Sequence, residues 1–200
     1  SISIMSTPLT HLSEDERMFY DAVFQWAQDR VAPISMEMDE AAQMNLDLLP
    51  ELFELGIMGI EVPEQYGGAG STFFHSILAI EALGRVDPSV SVLVDVQNTL
   101  VLNALTNYGN EDQKARYFPK LASEWVGCYC LSEASSGSDA FALKARAEKR
   151  GEDWVLNGQK LYITNAAWAN FITIFATVDP TLRHKGIMAF ILDADTPGLT

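Results

Sequence analysis

The residues with the most chemical potential form one short stretch, Ser132-Glu133-Ala134-Ser135-Ser136-Gly137-Ser138-Asp139. Hydroxyls at 132, 135, 136 and 138 can each donate and accept a hydrogen bond. Small side chains let a ligand approach the backbone, and Gly137 permits a positive φ that would turn successive N–H groups inward. Such a loop suits a neutral polar heterocycle or the edge of a diphosphate. The plain alternative is a serine-rich turn that binds nothing. An ordinary phosphate loop is disfavoured, because no GxxxxGK(S/T) pattern is present and no glycine-rich helix start follows a strand. Glu133 and Asp139 would repel a phosphate that they faced, so both are expected to turn back and hold backbone amides.

A loop of this kind needs rigid supports. Residues 126–131 alternate enough to form a mostly buried strand that runs straight into it. Residues 144–148 alternate, Gly151-Glu152-Asp153 makes a turn, and 154–157 returns. Residues 171–178 and 186–193 are two further apolar strands, and Asp195-Thr196-Pro197-Gly198 is a turn. Before Trp125 the period is helical. The best boundary therefore divides the chain into a helical domain, 1–124, and a β-domain, 125–200.

In the helical part, residues 10–30 read as one helix. Ser13 and Glu16 have capping-box spacing, and acids at 14, 15 and 16 suit the N-terminal end of the dipole. Pro33 ends or kinks it, and a short helix follows through Met36 and Met38. Asp47 is the expected N-cap of the next helix, with Gly56 just past its end. A glycine-rich loop spans 62–70, and 71–85 is helical. Asp87-Pro88 opens a long helix, apolar almost all round, that stops at Gly109. Asp95, Gln97, Asn98 and Thr99 interrupt it. Buried polar groups need partners, and satisfaction within the molecule is the expected solution. Asn110 and Gln113 cap a last helix through Tyr117, which Pro119 perturbs.

Composition narrows the partners. The 200 residues carry 13 basic and 27 acidic side chains, a net charge of −14, which disfavours nucleic acid and anionic membrane surfaces. No run of 18 apolar residues exists, so no membrane span is expected. The opening SISIMSTPLT has neither a basic leader region nor an Arg-rich amphipathic pattern, so a targeting segment is expected to be absent or removed. Cys128 and Cys130 share one face of a strand, a spacing poor for a disulfide, and read as reduced, buried thiols. His11, His75 and His184 form no ligand pair, so no metal site is expected.

Three segments, in order, resemble the acyl-CoA dehydrogenase family: Pro63-Glu64-Gln65-Tyr66-Gly67-Gly68, the stretch from Cys130 to Asp139, and Leu156-Asn157-Gly158-Gln159-Lys160-Leu161-Tyr162-Ile163-Thr164-Asn165. The patterns at 59–62 and 96–100 are most similar to its short/branched-chain members. The resemblance implies an α+β fold, an all-α bundle followed by an antiparallel β-domain, with a C-terminal helical domain expected beyond Thr200. It implies FAD as cofactor. Tyr129, Cys130, Leu131, Ser132, Glu133, Ala134, Ser135, Ser136, Gly137 and Ser138 would line it, with Ser132 bonded to the isoalloxazine. Tyr162, Ile163 and Thr164 would form a second wall, Tyr162 stacked on the ring. Ser138 would also meet the thioester end of the substrate. His184 stands where short/branched-chain relatives have an aromatic CoA contact.

The implied reaction is α,β-dehydrogenation of a short or branched-chain acyl-CoA to the 2-enoyl-CoA, in fatty acid metabolism or branched-chain amino acid catabolism. Electrons would pass to an electron-transfer flavoprotein, and the full-length enzyme would be a homotetramer. It would be cytoplasmic in a bacterium and in the mitochondrial matrix of a eukaryote. The family's base is a glutamate of the C-terminal domain, so no catalytic residue is assigned here. Alternatives are a flavin- or acyl-CoA-binding module or assembly factor of the same fold without activity, and a relative that uses flavin with oxygen.

Overall fold

A computed structural model describes residues 8–200; the first seven, part of the stretch read for a targeting pattern, lie outside it. Helix α1 (Glu14–Trp26) begins at Glu14 rather than at residue 10. A reciprocal capping box sets that start: Ser13 Oγ accepts from Glu16 N at 3.2 Å, and Glu16 Oε2 accepts from Ser13 N at 2.8 Å. The helix loosens into a π-helical turn, Ala27–Val31, and a 3-10 turn containing Pro33 leads to α2 (Ser35–Ala41). Helix α3 (Leu48–Glu54) follows Asp47, yet the Asp47 side chain makes no capping bond; Gly56, at φ 74°, turns the chain away after it.

Helix α4 (Phe73–Gly84) is capped by Thr72. Asp87 Oδ1 accepts from Ser89 N and Val90 N and opens α5 (Pro88–Asp95). That helix widens to a π-helical stretch, Val96–Leu102, and closes again as α6 (Asn103–Tyr108). A second capping box, Asn110 with Gln113, starts α7 (Glu111–Ser123). Pro119 lies inside α7 without ending it. Burial of Tyr117, Phe118, Leu121 and Ala122 on one side holds the helix together despite the missing N–H.

The polar interruption of the long helix is satisfied within the molecule. Gln97, fully buried, donates to Leu121 O (2.9 Å) and Trp125 O (3.0 Å) and accepts from Gly127 N (2.8 Å). Asn98 donates to Ile57 O and Val94 O and accepts from Ile60 N. Thr99 donates to Asp95. The π-helical widening sits where these amides reach outward to three other segments.

The strands are β1 (Gly127–Cys130), β2 (Arg146–Arg150), β3 (Asp153–Asn157), β4 (Phe171–Thr177) and β5 (Ile187–Asp193). They form one mixed sheet, which corrects the antiparallel expectation. Hairpins β2–β3 and β4–β5 are antiparallel, but β1 runs parallel to β4, Gly127 opposite Phe171 through Cys130 opposite Ile174. Strand β2 also meets β4 in parallel, at Arg146 and Thr177. Parallel neighbours need a long crossover, and residues 131–170 supply it.

One core lies among the first helices, with Val23, Leu52, Ile57, Leu83 and Val94 at its centre. A second joins α7 and the π-helical stretch to the sheet, through Val101, Phe118, Leu121 and Phe171. Strand β1 presses so closely on the long helix that a Cβ on Gly127 would lie 2.5 Å from Val101 Cγ1.

Candidate functional site

The hydroxyl-rich loop leaves the end of β1 and closes on itself at once. Glu133 N donates to Ser136 O (2.9 Å) and Ser136 N to Glu133 O (3.1 Å), so Ala134 and Ser135 form an exposed tip. Ser136 is buried and its Oγ donates to Asp139 O at 2.9 Å, so this hydroxyl serves the loop itself. Ser132 is half-buried, while Ser135, Gly137 and Ser138 face solvent. Gly137 does not adopt a positive φ, and a Cβ there would meet nothing within 4 Å. The expectation of an amide nest at Gly137 is therefore corrected; the turn is made by the Glu133–Ser136 pairing.

Glu133 turns inward, as its repulsion of a phosphate required. Its carboxylate accepts from Lys144 N (2.6 Å), Ala145 N (3.0 Å) and Lys160 Nζ (2.7 Å). Burial pushes this carboxyl up, and Lys160 with the two amides outweighs that, leaving it below the ordinary carboxylate range. Asp139 holds no amide. It pairs instead with Arg183, at 3.2 and 3.3 Å, in an exposed ion pair.

The second segment comes from the other end of the crossover. Gly158 lies so close to β2's approach that a Cβ would sit 2.6 Å from Ala145 Cβ. That close contact lets Lys160 reach into the loop, donating to Leu131 O (3.1 Å) and Glu133. Leu161 N then donates to Ser132 O at 2.9 Å. Beyond this bond Tyr162 takes φ 58° and projects into solvent, 94% exposed. An aromatic ring held out from a left-handed backbone has open space beside it. Ile163 packs on the small core cluster of Cys128, Cys130, Ala169 and Ile172, Thr164 is half-buried, and buried Asn165 donates to Leu93 O and Gly127 O. The Asn165 Oδ1 and Trp168 Nε1 atoms have no partner.

The thiols of Cys128 and Cys130 share one face with 3.6 Å between sulfurs, and both are free and buried. The neighbouring Cys130 thiol and burial both push the Cys128 thiol up. Tyr129 points to the opposite face, with its ring 4.8 Å from that of Phe175. It lines a groove of about 850 Å³ between α6, α7 and the outer part of the sheet. The structure thus joins Leu131, Ser132 and Glu133 to Lys160 and Leu161, directly before Tyr162, and sends the Tyr129 side chain elsewhere. His184 is exposed, its ring 5.4 Å from Phe141. The Arg183–Asp139 pair ties its segment to the far end of the hydroxyl loop. Lys160 is the residue whose position the sequence reading left without a role. Among the described residues no helix is long and apolar enough to cross a membrane, and no cluster could hold a metal ion.

Hydroxyls, backbone edges and an exposed aromatic plate fit a flat, polar heterocycle. Comparison with known proteins points the same way. Residues 13–124 match the model described as acyl-CoA dehydrogenase, N-terminal domain, and residues 128–200 that of the middle domain. The chain is similar to a probable short/branched chain specific acyl-CoA dehydrogenase of Dictyostelium discoideum, 47% identical over 96% of this chain and 47% of that protein. It is also similar to the mitochondrial short/branched chain specific acyl-CoA dehydrogenase of Bos taurus, 44% identical over 96% of this chain and 44% of the relative. Among solved structures, a glutaryl-CoA dehydrogenase from Mycobacterium smegmatis in complex with FADH2 superposes with TM-score 0.86 at 34% identity, covering 94% of this chain and 48% of that one. The chain thus spans about half the length of the curated relatives it matches. With both of its halves matched in order, the chain belongs to the acyl-CoA dehydrogenase family.

Proposed function

We propose that this chain contributes the FAD- and substrate-facing part of an enzyme that converts a short or branched-chain acyl-CoA to its 2-enoyl-CoA. The observation that carries the reading is the pairing of exposed Tyr162 with the hydroxyl loop, joined by the Leu161 N to Ser132 O bond. Ser132 and the edges of residues 131–138 would hold the polar rim of the flavin, Tyr162 would stack on its ring, and Ile163 and Thr164 would complete the wall. When bound, FAD supplies the two-electron acceptor for a hydride from the substrate's β-carbon. Ser138 and His184 face the thioester and CoA portions; they orient the substrate so that proton and hydride leave together. Boundaries near residue 125 divide the helical from the β-domain.

Neither loop carboxylate is free to take the α-proton. Glu133 is committed to Lys160 and two amides, and Asp139 to Arg183. The base is a glutamate supplied outside these residues, which also weighs against activity of residues 1–200 alone. Electrons leave to an electron-transfer flavoprotein, and the working form is a homotetramer. It works in the mitochondrial matrix if eukaryotic and in the cytoplasm if bacterial.

The test is an absorbance spectrum of the protein at its natural length, then titration with straight and branched CoA esters. A flavin spectrum bleached by short or branched esters is expected. Protein that takes up no FAD, or bound flavin that no CoA ester bleaches, refutes the proposal.

A further inference from the structure

We propose that Lys160 and Glu133 are positioning residues whose buried ion pair sets the distance and register between the two walls of the cofactor site. The inference rests on the flavin reading above. Both side chains are nearly sealed from water, 6% and 7% exposed, with 2.7 Å between Nζ and Oε1. Two charges taken out of water are stabilising only when every remaining hydrogen-bond position is met. Here most of those positions are met, by the first wall and by the start of β2's approach. Glu133 also accepts from the amides of Lys144 and Ala145, and Lys160 also donates to Leu131 O.

The placement of the pair is what gives it a role. Glu133 directly follows Ser132, and Lys160 precedes Tyr162 by two positions. Between them runs one backbone bond, Leu161 N to Ser132 O. Tyr162 itself is almost free of protein contact, so nothing on its own side fixes its ring. Its position depends on the backbone before it, which hangs on Lys160. A pair that merely filled the core would tolerate replacement by an apolar couple. A pair that sets the site would alter how a flat ligand sits between Ser132 and Tyr162.

The experiment uses the protein at its natural length and compares wild type, Lys160→Met, and the charge-free Glu133→Gln/Lys160→Met. FAD affinity is titrated, the fluorescence of bound flavin is read as a measure of stacking on Tyr162, and amide exchange is followed without FAD. Lys160→Met leaves a lone buried carboxylate, and the expected result is FAD binding weaker by roughly tenfold or more. Bound flavin should be brighter, and exchange should rise in residues 131–138 and 158–164 but not in α1. The double variant should regain exchange protection yet keep the brighter flavin. Unchanged affinity and fluorescence in Lys160→Met would overturn the clamp, even if exchange rises, because the pair would then be structural only. Wild-type protein that binds no FAD overturns the flavin reading itself, and the clamp's cofactor role with it.

Discussion

Replacing Gln97 with Met keeps nearly the same volume and deletes the polar atoms. In the native protein this side chain meets three backbone groups, the carbonyls of Leu121 and Trp125 and the amide of Gly127, at 2.8 to 3.0 Å. The side chain is fully buried, so water cannot take over. Each group left without a partner costs about 1–3 kcal/mol, so partial relaxation still leaves a loss of about 4 kcal/mol. For a chain of this size that lowers Tm by roughly 8–16 °C. The assay is thermal unfolding followed by far-ultraviolet circular dichroism, with exposed Gln25→Met as the control. These bonds join the long helix to the end of α7 and the start of β1, so hydrogen exchange should rise at 121–128 as well as near residue 97. A Tm within about 2 °C of wild type would refute the claim that these bonds hold the helices to the sheet.

Gly127→Ala should cost about 1–3 kcal/mol by overpacking, since the new methyl meets Val101 on a rigid helix; Gly127→Ala combined with Val101→Ala should recover part of it in the same melt. The Glu133 carboxyl lies below its ordinary value of 4.5 in the folded protein, so its contribution is complete above that value and is lost as pH falls. The Tm gap between wild type and Glu133→Gln should therefore be widest near neutrality and shrink as the pH falls below 4.5; a gap that widens in acid would reverse the assignment. Cys128 and Cys130 should resist a thiol reagent in the native state and react fully in denaturant, and rapid native labelling would contradict their burial.

What could be read from the sequence was mostly local. Ser13, Asp87 and Asn110 cap helices because a capping oxygen reaches only two or three residues ahead, and that spacing is visible in the chain. The β2–β3 hairpin was legible for the same reason, whereas β4 and β5 were legible as strands but not as a pair. The parallel pairing of β1 with β4 was not, since nothing in 127–130 specifies a partner beyond a forty-residue crossover. The hydroxyl loop and Tyr162 were found by their resemblance to a family. Lys160 was missed as a functional residue because its partner lies 27 positions away and a lysine normally signals solvent. Gly137 misled for the opposite reason: the glycine allowed a conformation that the Glu133–Ser136 pairing made unnecessary.

The crossover has a consequence for how this protein can be remodelled. Every residue assigned to the cofactor except those on β1 belongs to one excursion that departs at Cys130 and returns at Phe171, into adjacent parallel strands. The two ends are fixed by sheet pairing, while the span between them carries both of the proposed flavin-facing segments and the buried Lys160–Glu133 pair that links them. Such a span is a cassette. Chimeras that exchange it whole between relatives should inherit the donor's ligand preferences, whereas exchanging either face alone would split the internal ion pair and produce mismatched halves.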